Sequence, residues 1–110
     1  MIGENVALEV LREGADDWVP IDALLWHARA VSGGEDFRRV AIESLAFLMT
    51  RGLAMVGDIG ESGFEPWRGE LQAVLDRVTA CCAALNWEPQ GGCCWISATA
   101  DGSAFVNAHE

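Results

Sequence analysis

The chain has no lysine and no tyrosine, and only two histidines in 110 residues. Its seven bases are all arginines, at 12, 29, 38, 39, 51, 68 and 77, and they face seventeen acids for a formal charge of -10. Nucleic-acid binding draws largely on cation–phosphate contacts and counterion release. A small domain this acidic meets long-range repulsion from DNA and attraction toward basic partners. No apolar run approaches the ~20 residues of a membrane span. The stretch Met1-Ile-Gly-Glu-Asn5 lacks the basic start and apolar run of a secretory leader, so a cytoplasmic protein with no membrane attachment is expected.

The site chemistry is equally sparse. His27 adjoins Trp26 and His109 lies near the end; Asp22 is spaced one helical turn from Trp26, not from His27, so no carboxylate is placed to orient the imidazole. There is no Gly-x-x-x-x-Gly-Lys phosphate loop. Gly33-Gly34 precedes a helix start, but Glu35 and Asp36 follow at once and oppose an anion there. We therefore expect no enzymatic activity, no catalytic residue, no cofactor and no metal.

What is abundant is apolar surface, at 51% of residues, enough for one core in one domain spanning 1–110. Four cysteines fall in adjacent pairs, Cys81-Cys82 and Cys93-Cys94. Zinc sites favour spacings such as C-x-x-C that let two sulfurs converge. Adjacent cysteines diverge by about 100° on a helix and point to opposite faces on a strand, so one of each pair meets the other, Cys82 with Cys93 or Cys94. Reduced thiols acting as small hydrophobes are expected. Five tryptophans (18, 26, 67, 87 and 95) are more than a domain this small encloses fully. Trp95 is the core candidate. Trp67 and Trp87 bracket a helix and are expected to fasten it. Trp18 or Trp26 marks a protein-binding or dimer surface, where tryptophan is enriched.

Periodicity places the elements. A first helix runs from about Glu4 to Glu13 and stops at Gly14. Asp16-Asp17 form a turn, and Pro20 keeps Trp18–Ile21 extended. A second helix carries Ile21, Leu24, Leu25 and Ala28 on one face. A third runs from about Glu35 to Thr50, with acids at its start, Arg51 at its end and Gly52 as its stop. Leu53–Ile59 reads as a strand, Gly60–Gly63 as a turn, and Phe64–Trp67 as a short extended piece limited by Pro66. A fourth helix spans about Glu70 to Leu85. Cys93–Ala98 is a strand, and Thr99 caps a turn or helix through Ala104. The predicted core holds Leu11, Leu24, Ala28, Leu45, Leu48, Leu53 and Trp95. Leu53–Asp58 is expected to pair antiparallel with Cys94–Thr99.

Leu45, Leu48, Gly52 and Leu53, with Trp95, Ile96, Thr99 and Gly102, resemble the winged helix-turn-helix superfamily over roughly residues 4–60 and 93–106. They match the end of that family's recognition helix, the start of its wing, and its return strand with a Thr-x-x-Gly ending. The resemblance implies an α+β, winged-helix-like fold: three N-terminal helices plus a small antiparallel sheet, with an extra helix inserted between the wing strands at 60–92.

Charge then separates two functions. On the third helix Arg38, Arg39 and Arg51 are balanced by Glu35, Asp36 and Glu43, and the wing carries Asp58, Glu61 and Glu65. This favours a protein-recognition domain for a basic partner, such as an acidic immunity- or inhibitor-like protein, reaching it through Trp18, Trp26, Asp58, Glu61 and Glu65. The alternative is a DNA-binding transcriptional regulator using Arg38, Arg39, Arg51 and Arg68, as a homodimer through the inserted helix.

Overall fold

The computed structural model describes residues 2–15, 17–34 and 36–109. Asp16 and Glu35, expected in a turn and at a helix start, lie outside the described residues. The architecture is α+β, with five helices and a four-stranded antiparallel sheet among the described residues.

Helix α1 (Ile2–Glu13) buries Val6, Ala7, Val10 and Leu11, the i, i+1, i+4, i+5 stripe of an amphipathic helix. Strand β1 (Val19–Pro20) leads directly into α2 (Ile21–Ser32), whose buried face is Ile21, Leu24, Leu25 and Ala28. Helix α3 (Asp36–Thr50) turns Ala41, Leu45 and Leu48 inward against both. Its end is closed by two backbone bonds, Gly52 N–H to the Met49 carbonyl and Leu53 N–H to that of Leu48. Gly52 sits at φ 67°, the left-handed conformation this closure needs and a Cβ resists.

Strand β2 (Ala54–Gly60) follows, then β3 (Gly63–Pro66), α4 (Leu71–Ala84), β4 (Trp95–Ala98) and α5 (Ala100–Ala108). The sheet order is β1-β4-β2-β3. β2 pairs with β4 as expected, Ala54 opposite Ala98 and Val56 opposite Ile96. The long intervening segment does not prevent this, because closure entropy grows only logarithmically with loop length. The extended piece at Phe64–Trp67 adds an edge strand, ending at Pro66, where a missing N–H is harmless.

Thr99 ties the two halves together. Its hydroxyl donates to the Gly52 carbonyl (2.6 Å) and accepts from the Gly102 N–H (3.0 Å), while its own N–H donates to the Leu53 carbonyl. Gly102 is required by closeness: a Cβ there would collide with that same Leu53 carbonyl. The Thr-x-x-Gly ending is thus an N-cap seated on the end of α3.

Leu11, Leu24, Ala28, Leu45, Leu48 and Leu53 share one core, but Trp95 does not belong to it. Strand alternation explains the correction. Cys94 and Ile96 point inward, so Trp95 between them takes the outer face and is half-buried, in register with Gly57 and Pro20. The tryptophan in the core is Trp87, 9% exposed, packed edge-on against Phe37. It fastens the end of α4 to α2 and α3, with its carbonyl accepting from Arg29. Trp67 makes the expected tie between α4 and β2: its N–H donates to the Val56 carbonyl, and Arg77 of α4 lies over its ring.

Candidate functional site

The β2–β3 hairpin gathers the three acids singled out from the sequence. Asp58 stands opposite Glu65, Ile59 opposite Phe64, and Glu61 is in the connecting turn. Opposed carboxylates repel. That repulsion is tempered by the indole N–H of Trp67, which donates to Asp58 Oδ2 at 2.8 Å, with the Arg77 guanidinium 3.6 Å above the same ring. The Glu65 carboxylate lies against Gly60, where no side chain competes for the space.

Trp18 reaches this hairpin. Its ring centroid is 6.3 Å from that of Phe64, and its outer edge lies over Gly63. Opposed residues of an antiparallel pair share a face, and alternate residues along a strand do too. Phe64, Ile59 and, farther along β2, Met55 therefore form an apolar side joined by Trp18, while Asp58 and Glu65 take the other side. Trp18 (40% exposed), Met55 and Ile59 are among the exposed large apolar residues. The acids and Trp18, expected to reach one partner together, are divided by the register between the two sides of one hairpin.

Trp26 is elsewhere. It stands on α2, 64% exposed, in edge contact with His27. The groove beside it is lined by α2 and by residues 88–90, none of them in the hairpin. His27 pairs with Glu13 at 3.1 Å, a carboxylate from α1 that sequence spacing did not reveal.

The four arginines of the DNA-binding alternative do not converge. Arg38 lies over the rings of Phe37 and Trp87, at the start of α3. Arg39 pairs with Glu43 at 3.2 Å. Arg51 lies over Phe47 and Phe105, beyond the end of α3. At 1.5 Å rise per residue, Arg38 and Arg51 are about 20 Å apart along the helix. Arg68 is exposed in the β3–α4 connection. Helix α4 also packs against α3, burying Val74, Leu75, Val78 and Cys82.

The cysteines correct the expectation of four reduced thiols. Cys81 and Cys93, each at the border of the core, form a disulfide, and Cys82 and Cys94 are free and buried. The divergence of adjacent cysteines makes this sorting: one of each pair turns inward and the other meets its counterpart at the surface. Burial, helped by the nearby Asp22 carboxylate, pushes the Cys82 thiol up to about 11. Burial, then Cys82 and Asp58, push Cys94 up to about 12. Among the described residues no three His, Cys, Asp or Glu side chains gather into a metal-sized cluster, and no helix is long and apolar enough to cross a membrane.

The raised thiols have a consequence for alkaline stability. The folded chain holds these protons more tightly than the unfolded chain, whose thiols titrate near 9.0. The stability they contribute is complete below that value and is lost as pH rises through the folded pKa values. With neither lysine nor tyrosine present, thiols are the side chains that titrate in this window. The urea midpoint should be flat from about pH 7 to 8.5 and fall by about pH 11, less so in Cys82→Ala/Cys94→Ala. A midpoint unchanged up to about pH 11 would contradict the burial of both thiols.

Comparison with protein-family models, curated proteins and solved structures returns no match for this chain.

Proposed function

We propose that the chain is a non-enzymatic protein-recognition domain on a winged-helix scaffold, and that it binds a basic protein through the β2–β3 hairpin. The scaffold reading is supported by the order helix, short strand, helix pair, two paired strands, with Thr99–Gly102 seated on the end of α3. The observation that carries the function is the two-sided hairpin. Trp18, Ile59 and Phe64 offer anchors of the kind enriched at binding hot spots. Asp58, Glu61 and Glu65 supply the charge that steers a basic partner and speeds its approach. A projecting hairpin with one apolar and one acidic side fits a basic cleft, as in an immunity- or inhibitor-like protein covering a nuclease or other toxin. No cofactor or metal enters this reading, and the compartment proposed is the cytoplasm, where the Cys81–Cys93 bridge is open to reduction.

Dispersion of Arg38, Arg39, Arg51 and Arg68, and the packing of α4 on α3, weigh against a DNA regulator. The test is retention of partners from the source cell on immobilised full-length protein, followed by affinity measurements with the purified partner. A basic protein should be retained, bound more weakly as salt rises, and weakened about tenfold or more by Trp18→Ala. A retained partner indifferent to Trp18→Ala and to Asp58→Asn/Glu65→Gln would overturn the hairpin assignment. Retention of a second copy of the chain alone would favour a homodimer.

A further inference from the structure

The groove beside Trp26, about 280 Å³, has chemistry of its own. Asp22 and Trp26 are four residues apart on α2, which sets carboxylate and indole on one face. Glu88, Pro89 and Gln90 form the facing wall. Trp26 is the most exposed large apolar side chain among the described residues. The one base lining the groove, Arg29, is engaged with the loop itself: it donates to the Trp87 carbonyl and lies 4.3 Å from the centre of the Phe37 ring. An indole flanked by two carboxylates, in a groove whose only base is so occupied, attracts a cation that also presents a flat face.

The facing wall is held in an uncommon backbone conformation. Asn86, Trp87 and Gln90 all have positive φ, at 56°, 60° and 50°. Asn86 closes the end of α4, where N–H groups of Asn86 and Trp87 reach back to Ala83 and Cys82. Gln90-Gly91 is the centre of a tight turn closed by the Gly92 N–H to the Pro89 carbonyl. Asn86-Trp87 is likewise the centre of a turn, closed by the Glu88 N–H to the Leu85 carbonyl, but a bulky residue resists this region. Three things outside the local backbone hold it: the Phe37 ring, the Arg29 bond, and the Cys81–Cys93 bridge that closes the segment at both ends. Asp22 fixes the far side of the wall by accepting from the Gly91 N–H at 3.0 Å.

We propose that this groove binds an arginine side chain of a basic protein segment, and that the Cys81–Cys93 bridge keeps its second wall in place. The guanidinium plane stacks on the Trp26 indole while its N–H groups donate to Asp22 and Glu88. Reduction by a dithiol supplies two electrons and two protons, breaks the S–S bond, leaves Cys81 and Cys93 as thiols and converts the reductant to its disulfide. Cys82 and Cys94 are buried and protonated, so they do not exchange with the bridge. This site uses none of the hairpin residues, and its probe is a small molecule, so it stands or falls separately from the hairpin reading.

The test is a titration of the oxidised full chain with N-acetyl-arginine methylamide at low salt, followed by the indole N–H of Trp26 and the amide of Gln90 in a ¹H–¹⁵N spectrum. Both signals should shift and saturate, with the lysine analogue weaker. Glu88→Gln should weaken binding about threefold, and Trp26→Ala should abolish saturation at Gln90. Reduction with dithiothreitol should weaken binding at least as much as Glu88→Gln, with the helical signal retained; Cys81→Ser/Cys93→Ser should reproduce it, and the reduced wild-type chain suffices if that variant does not fold. Shifts that never saturate, or Glu88→Gln binding like wild type, would overturn the site. Equal binding by the lysine analogue would overturn the guanidinium assignment, and equal binding by reduced and oxidised protein would overturn the role of the bridge.

Discussion

Leu48→Ala should lower the unfolding free energy by about 2–5 kcal/mol. The side chain is fully buried, at the meeting of α3 with the other core elements. Removing its three outer carbons forfeits transfer free energy and leaves a cavity that neighbours fill only in part. The backbone adds to the constraint, because the Leu48 carbonyl accepts the N–H of Leu53 that closes the helix. Relaxation of α3 toward the cavity would strain that closure and the Thr99 cap bonded to Gly52 beside it. Small domains unfold at about 5–15 kcal/mol, so the loss is a large share of the total. Urea unfolding reads it as a lowered midpoint at unchanged slope. A loss below about 1 kcal/mol would place Leu48 outside the core.

Gly57→Ala should part β3 from β2, opening the hairpin. A Cβ at Gly57 would overlap the Glu65 carbonyl and the Pro66 Cα, which are backbone atoms of the adjoining strand. A flexible side chain swings aside, but a paired strand cannot without giving up its register. The expected cost is about 1–3 kcal/mol, the usual range for forced overpacking. Gly60→Ala is the control. Its Cβ would meet the end of the Glu65 side chain, which rotates away, so its effect should stay within about 0.5–1 kcal/mol. The functional consequence should follow the same order. Gly57→Ala should disperse Trp18, Phe64 and the acids and weaken partner binding more than Gly60→Ala, which displaces the Glu65 carboxylate alone. Equal effects of the two substitutions in urea unfolding would contradict the close approach at Gly57.

Much of the helical framework was legible, because each of the first three helices carries a 3.6-residue stripe and is followed by a glycine, Gly14, Gly33 or Gly52. The β2–β4 pairing was legible from two apolar segments and the Thr99–Gly102 ending, whose physical content is the cap on α3. Tryptophan placement was less so. Trp95 has the composition of a core residue, yet strand alternation sends Cys94 and Ile96 inward and Trp95 out. Trp87 lies past the end of α4, where no periodicity reports a face, and it is buried through contacts with Phe37 and Arg29 that come from distant sequence. The disulfide was obscured for a related reason. Divergence of neighbouring cysteines was readable, but which of each pair turned outward depended on how α4 docks. The hairpin acids were found as a group, while their separation from Trp18 needed the register of β3.

Recognition of a basic protein in preference to DNA is tested by binding of the full chain to mixed genomic DNA fragments at low salt, with Arg38→Ala/Arg39→Ala alongside. Each neutralised phosphate contributes a slope of about -0.9 in log affinity against log salt. With its arginines dispersed along and beyond α3 and a charge of -10, the chain should show no sequence-selective retention and no difference between wild type and the arginine variant. Sequence-selective retention that disappears in Arg38→Ala/Arg39→Ala would contradict protein recognition and identify a DNA-binding regulator.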